Sequence, residues 1–290
     1  MDQSGLTEYQ LNSSIKAEDA VPESFAILEQ ITAYFFLVIF FFSITGNGLM
    51  LVVLCRYENW RRVTNLFILN LLTSDLLFTL TLPFWALYHL QHWLFGEMAC
   101  KLMTGLYFTG FYSSIMLLTC LTLDRFMTVV VPSWNAAPKR RLRFAWSACV
   151  ASWVISLAAS LCEITSTQVQ EVDNGTFTCE ASTVSEEEEI LGYYLQVSLL
   201  FVLPLTIIIC SYSAILRKVL VTATRRPHRT ILAVFFIVLA FFICWTPYNL
   251  VLFLQTVHPS VVDSDYRRWL DVSYVTTPLL SAELLGKTGR

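Results

Sequence analysis

Residues Leu66–Tyr88 read LFILNLLTSDLLFTLTLPFWALY, an apolar stretch broken by one charged side chain, Asp75. A helix needs about 20 mostly apolar residues to cross a bilayer. Only a helix or a closed barrel can satisfy its own backbone there. Outward from this stretch, five more runs of the same kind follow: Ile31–Leu54, Leu102–Leu123, Phe144–Leu161, Ile190–Leu216 and Ile231–Val257. Across all six, Asp75 is the only charged side chain. A seventh run, Trp269–Leu285, is weaker, because it holds Asp271, Pro278 and Glu283.

Composition agrees. Of 290 residues, 56% are hydrophobic and 14% charged, against roughly 25% charged in soluble domains. Mean hydropathy is positive. Disorder is excluded, since it needs low hydrophobicity and high charge. A net charge of −3 gives no nucleic-acid signal. No basic segment and short apolar run opens the chain, so no cleavable signal peptide is predicted and the first span must direct insertion.

Basic residues in the short loops set orientation. Arg56, Arg61 and Arg62 lie in the first loop, Arg125, Lys139, Arg140, Arg141 and Arg143 in the third, and Arg217, Lys218, Arg225, Arg226 and Arg229 in the fifth. Only Lys16, Lys101, Arg267 and Arg268 lie before the first span or in the even loops. The amino terminus is therefore predicted outside. The acceptor triplets at Asn12 and Asn174 fall on that same side, which makes both candidates for glycosylation. The outer segments are acidic: Asp2, Glu8, Glu18, Asp19, Glu23 and Glu29 precede the first span, and Glu171, Asp173, Glu180 and Glu186–Glu189 follow the fourth. Such a run is usually a solvated face. An acidic mouth also steers basic partners by long-range attraction.

No enzyme is predicted. The chain has no Ser/His/Asp arrangement, no HExxH and no glycine-rich phosphate loop. Eight cysteines at scattered spacings form no CxxC zinc or redox pattern. A transporter or channel would carry more charge inside its spans, or repeats with broken helices.

Ordered motifs on six spans narrow the reading. They are Gly46-Asn47, Asn70 with Ser74-Asp75-Leu76, Asp124-Arg125-Phe126, Trp153, Pro204 with Tyr212, and Cys244-Trp245-Thr246-Pro247-Tyr248. In this the chain resembles the rhodopsin-like G-protein-coupled receptors over residues 31–277. Thr81-Leu82-Pro83 with Trp85, and Trp93-Leu94-Phe95-Gly96, make it look like the chemokine receptors within that family. Arg226-Pro227-His228-Arg229-Thr230, Trp245-Thr246-Pro247-Tyr248-Asn249 and Leu252-Phe253-Leu254-Gln255-Thr256 carry the narrower likeness. The implied fold is an all-α membrane protein, a seven-transmembrane helix bundle with an incomplete or atypical seventh helix. Residues 1–30 would be an extracellular segment and 31–290 the bundle, with no cytoplasmic tail.

The resemblance also implies roles. Asp75, the buried acid, would hold a sodium ion with Ser114 and Asn47; the bland alternative is a protonated Asp75 bonded to Asn47. A carboxylate within a span is a functional hypothesis in its own right. Asp124 would pair with Arg125 at rest, and Arg125 would swing towards Tyr212 and a heterotrimeric G protein of the inhibitory type on activation. The alternative for Arg125 is snorkelling at a membrane edge. Trp245 and Pro247 would form a kinked hinge that lets the sixth span move outward. Cys100 and Cys179 would form a disulfide. Trp85, Tyr88, Trp93, Tyr107, Tyr248 and Gln255 would surround a cavity for the flexible end of a basic chemokine. Tyr107 stands where amine receptors keep an Asp, which disfavours an amine ligand. Tyr9 is a candidate for sulfation, with a plain exposed tyrosine as the alternative.

The resemblance fades near Thr277, and Asn-Pro-x-x-Tyr is absent. This leads to the expectation of a variant or truncated ending. The location implied is the plasma membrane, multi-pass, with endoplasmic-reticulum retention as a consequence of that ending. The second functional reading is a non-signalling chemokine-binding or dominant-negative form.

Overall fold

The structure is a computed structural model. It describes residues 23–57, 62–172, 175–182, 192 and 194–222. Asn12, Tyr9, Asn174, Trp245, Pro247, Tyr248, Gln255 and the seventh run lie outside the described residues.

The described chain forms α1 (Glu23–Tyr57), α2 (Val63–Leu90), α3 (Gly96–Val130), a short α4 (Pro132–Asn135), α5 (Pro138–Ser166), β1 (Thr167–Glu171), β2 (Phe177–Ala181), a π-helical turn (Gln196–Val202) and α6 (Leu203–Thr222). Among the described residues, five helices are long and apolar enough to cross a bilayer. They coincide with the first five predicted spans and run several residues past them at most ends. A helix does not stop where the hydrocarbon stops; the predicted bounds marked only the apolar part.

α3 is the central element, packed against α2, α5 and α6. Its core side chains include Phe111, Tyr112, Ile115, Leu118 and Leu121, and they meet Phe67 and Leu71 of α2, Cys149 of α5 and Ile208 and Tyr212 of α6. Lipid tails are as apolar as leucine, so close packing and polar contacts between helices must hold such a bundle. The chain supplies both. Gly110 lets α3 approach α2 so closely that an added Cβ would lie 2.8 Å from the Ser74 carbonyl oxygen and the Phe78 nitrogen. Ser74 and Ser113 share a hydrogen bond of 2.7 Å between the same helices. Ser152, Ser156 and Ser160 form a buried stripe on α5. Of these, Ser160 meets Thr109 of α3 at 2.6 Å. Trp153 Nε1 donates to Asn70 Oδ1 at 3.0 Å, tying α5 to α2.

The prolines have local consequences. Pro83 lies within α2 and removes one i→i−4 bond. Two residues earlier, the Thr81 hydroxyl donates to the Phe78 carbonyl at 2.7 Å. Pro204 follows the π-helical turn, where the Leu203 N–H reaches back to the Ser198 carbonyl, five residues away. The widened turn takes up the backbone irregularity that proline imposes.

β1 and β2 form an antiparallel pair with Val169 opposite Cys179. No strands were predicted in this segment. The signal was present in Asn174-Gly175, a hairpin turn pair, and Gly175 adopts φ +87°.

Candidate functional site

Three groups of residues stand at three levels of α3. At its Cys100 end, Cys100 and Cys179 are joined by a disulfide, with Cα atoms 5.8 Å apart. This pins the hairpin against the bundle. Trp93 packs on the disulfide. Its backbone N–H donates to the Phe177 carbonyl at 2.8 Å, and its Nε1 donates to the Gly96 carbonyl at 2.9 Å. Trp93 is 1% exposed. The expectation that it surrounds the cavity is therefore corrected: it is fully buried, where an indole can satisfy its N–H from the chain's own backbone.

Beside Trp93 stand Trp85 and Tyr88, both half-buried, and Tyr107, which is buried. The Trp85 ring lies 5.6 Å from Trp93 and 6.2 Å from both Tyr88 and Tyr107, centroid to centroid. These separations suit edge-on and tilted aromatic contacts. Trp85 Nε1 has no hydrogen-bond partner among the described residues. Tyr88 Oη donates to Glu180 Oε1 at 2.8 Å. An acid of the hairpin is thus held over the aromatic wall. Glu163 is an acid missed as a site residue, because it lay past the predicted end of the fourth span. α5 continues through it, and Tyr112 Oη of α3 donates to its Oε1 at 3.1 Å. The extra turn of helix was the only signal, and the apolar run did not contain it.

At the middle of α3, Ser114 Oγ donates to Asp75 Oδ1 at 2.8 Å. Asn47 does not reach the carboxylate directly in the hydrogen-bond network. Its Nδ2 donates to Ser43 Oγ at 2.9 Å. Ser43 in turn shares a 2.6 Å bond with Thr79, whose hydroxyl donates to the Asp75 backbone carbonyl. Asn47 therefore supports the backbone of Asp75, where a direct partner was expected. Carboxylate and hydroxyl oxygens suit a hard cation. Among the described residues no group of three or more His, Cys, Asp or Glu could hold a metal ion.

At the other end of α3, Asp124 is completely buried. It does not pair with Arg125, as expected from the resemblance. It takes Arg141 of α5 in a bidentate pair, Nε to Oδ1 at 2.7 Å and Nη2 to Oδ2 at 2.6 Å. Trp134 Nε1 of α4 approaches Oδ1 at 3.4 Å. Adjacent residues on a helix point about 100° apart, so Asp124 faces α5 while Arg125 faces α2. Arg125 Nη2 donates to Thr64 Oγ1 at 2.8 Å. Tyr212 is buried in the same core.

The family model for the 7 transmembrane receptor (rhodopsin family) matches residues 46–282. The chain belongs to this family. Rhodopsin-family members are multi-pass membrane receptors that couple a ligand to a G protein, and they are not enzymes. The match begins at Gly46 and runs five residues past Thr277, where the sequence resemblance was expected to fade. Within this receptor, α1, α2, α3, α5 and α6 correspond to the first five spans.

Proposed function

We propose that this rhodopsin-family receptor binds a basic chemokine and signals through an inhibitory G protein, and that it is a receptor of the XC (lymphotactin) chemokine type. The observation that carries the reading is the Trp85–Tyr88–Tyr107 wall beneath Glu180, held there by Tyr88 and the Cys100–Cys179 bond. This wall offers ring faces and a carboxylate, which suit the cationic, flexible end of a small protein. The acidic segments around it would attract the folded part of such a ligand from a distance.

The sequence of events has two steps. The acidic outer segment captures the chemokine, and the ligand's end then enters the cavity. Binding shifts the receptor towards the state with the sixth span moved outward, by differential affinity for the two states. Asp75 and Ser114 would hold a sodium ion in the resting state. The amino terminus lies outside, and the plasma membrane is the working location.

The test is binding of a panel of labelled chemokines to cells that display the full chain, with nucleotide exchange on an inhibitory G protein read in the same membranes. Saturable binding that weakens with salt, together with exchange, supports the proposal. Binding without exchange would favour a binding-only receptor. No binding by any basic chemokine at confirmed surface display would overturn the chemokine assignment.

A further inference from the structure

We propose that Arg141 is a positioning residue that keeps Arg125 available to the G protein, by occupying Asp124 in the α3–α5 pair. The two arrangements differ sharply in strength. The Asp124–Arg141 contact is a two-bond guanidinium–carboxylate fork, the strongest common geometry for this pair. It lies beside the first turns of α5, where the helix dipole favours an anion. Arg140 stacks on Trp134 at 5.7 Å and holds that neighbour in place. Among the described residues Arg125 is held less firmly: its Nη2 donates to one neutral hydroxyl, Thr64 Oγ1. Thr64 is the second residue of α2, so the guanidinium sits at a helix N-terminus, the end that disfavours a cation. Arg125 Nε is buried with no hydrogen-bond partner among the described residues.

A cation parked so weakly next to an occupied acid is easily drawn to another acceptor. If Arg141 is removed, Asp124 is left buried without its fork, and the adjacent residue of α3, Arg125, carries a guanidinium that can replace it. Arg125 would then be captured. Removing the Thr64 hydroxyl has the opposite effect, because it takes away what holds Arg125 at α2. Two variants on different helices therefore move basal coupling in opposite directions. A merely structural role for Arg141 would lower folded yield and leave activity per folded receptor unchanged.

The pairing is tested without any G protein. The full chain is purified in detergent and melted as wild type, Asp124→Asn, Arg141→Gln, Arg125→Gln and the two double variants that contain Asp124→Asn. The expected result is a clear non-additive melting shift for Asp124 with Arg141 and additivity for Asp124 with Arg125. The reverse pattern overturns the proposal. Arg141→Lys, which keeps the charge and cannot form the fork, should fall between wild type and Arg141→Gln and guards against loss of folding.

The functional half rests on the G-protein reading above. Basal nucleotide exchange, normalised to folded receptor, should fall about fivefold in Arg141→Gln and rise in Thr64→Val. Equal exchange in all three forms overturns the proposed role. A wild type that drives no exchange overturns the receptor reading, and the melting cycle still decides the pairing.

Discussion

Tyr88 of α2 donates its hydroxyl to Glu180 of β2 across 92 residues of sequence, so this side-chain bond fastens the hairpin to α2 beside the covalent bond that fastens it to α3. The polar point is also where a basic ligand would compete. In Tyr88→Phe the ring contacts with Trp85 persist and only the hydroxyl is lost. Glu180→Gln removes the charge. We expect Glu180→Gln to lower the association rate of a basic chemokine and flatten its salt dependence, and Tyr88→Phe to affect mainly dissociation. Surface-binding kinetics at two salt concentrations check this.

Removing the covalent point should be more severe. The Cys100–Cys179 bond closes a loop of 79 residues. Its loss should cost roughly 2–5 kcal/mol, mostly by freeing the unfolded chain. Cys100→Ser, Cys179→Ser and the double variant should melt at the same lowered temperature. A double variant clearly different from either single would contradict the pairing.

Gly110 and Gly48 give a controlled contrast. A Cβ at Gly110 meets the backbone of α2, while one at Gly48 meets nothing within 4 Å among the described residues. Gly110→Ala should destabilise by about 1–3 kcal/mol, because one backbone must move away from the other. Gly48→Ala should be neutral or stabilise by up to about 1 kcal/mol, since alanine is the better helix former. Thermal melting of the purified receptor separates the two.

Asp75→Asn keeps an acceptor for the Ser114 hydroxyl and removes the charge. If a sodium ion rests there, added sodium should lower agonist affinity in the wild type and leave Asp75→Asn unaffected. Ser114→Ala should show a reduced effect. Agonist competition binding in sodium and in choline buffers gives the measurement. An unchanged sodium response in Asp75→Asn would place the ion elsewhere.

The spans were legible because a bilayer tolerates so little variation: apolar runs of fixed length leave few alternatives. Asp75 was legible for the same reason, as the one charge in six spans. What escaped was direction. Asp124 and Arg125 are neighbours in sequence, and the family resemblance implied their pairing. Helical rotation sends one to α5 and the other to α2, and Arg141 was counted only as a loop charge that sets orientation. Trp93 was read as a ligand contact from the resemblance, while its indole N–H and backbone N–H are both taken up by the chain. Glu163 escaped because helices continue beyond the apolar stretch that reveals them.

α3 joins these features in one body. It runs unbroken for 35 residues, about 52 Å at the usual helical rise. The disulfide is fixed near one end and Asp124 and Arg125 lie near the other. It acts as a spine gripped along its length: the hairpin at one end, α2 and α5 at the middle through Ser74 and Ser160, and Thr64 and Arg141 at the other end. Reducing the disulfide would remove the one covalent grip and leave the polar ones along the spine in place.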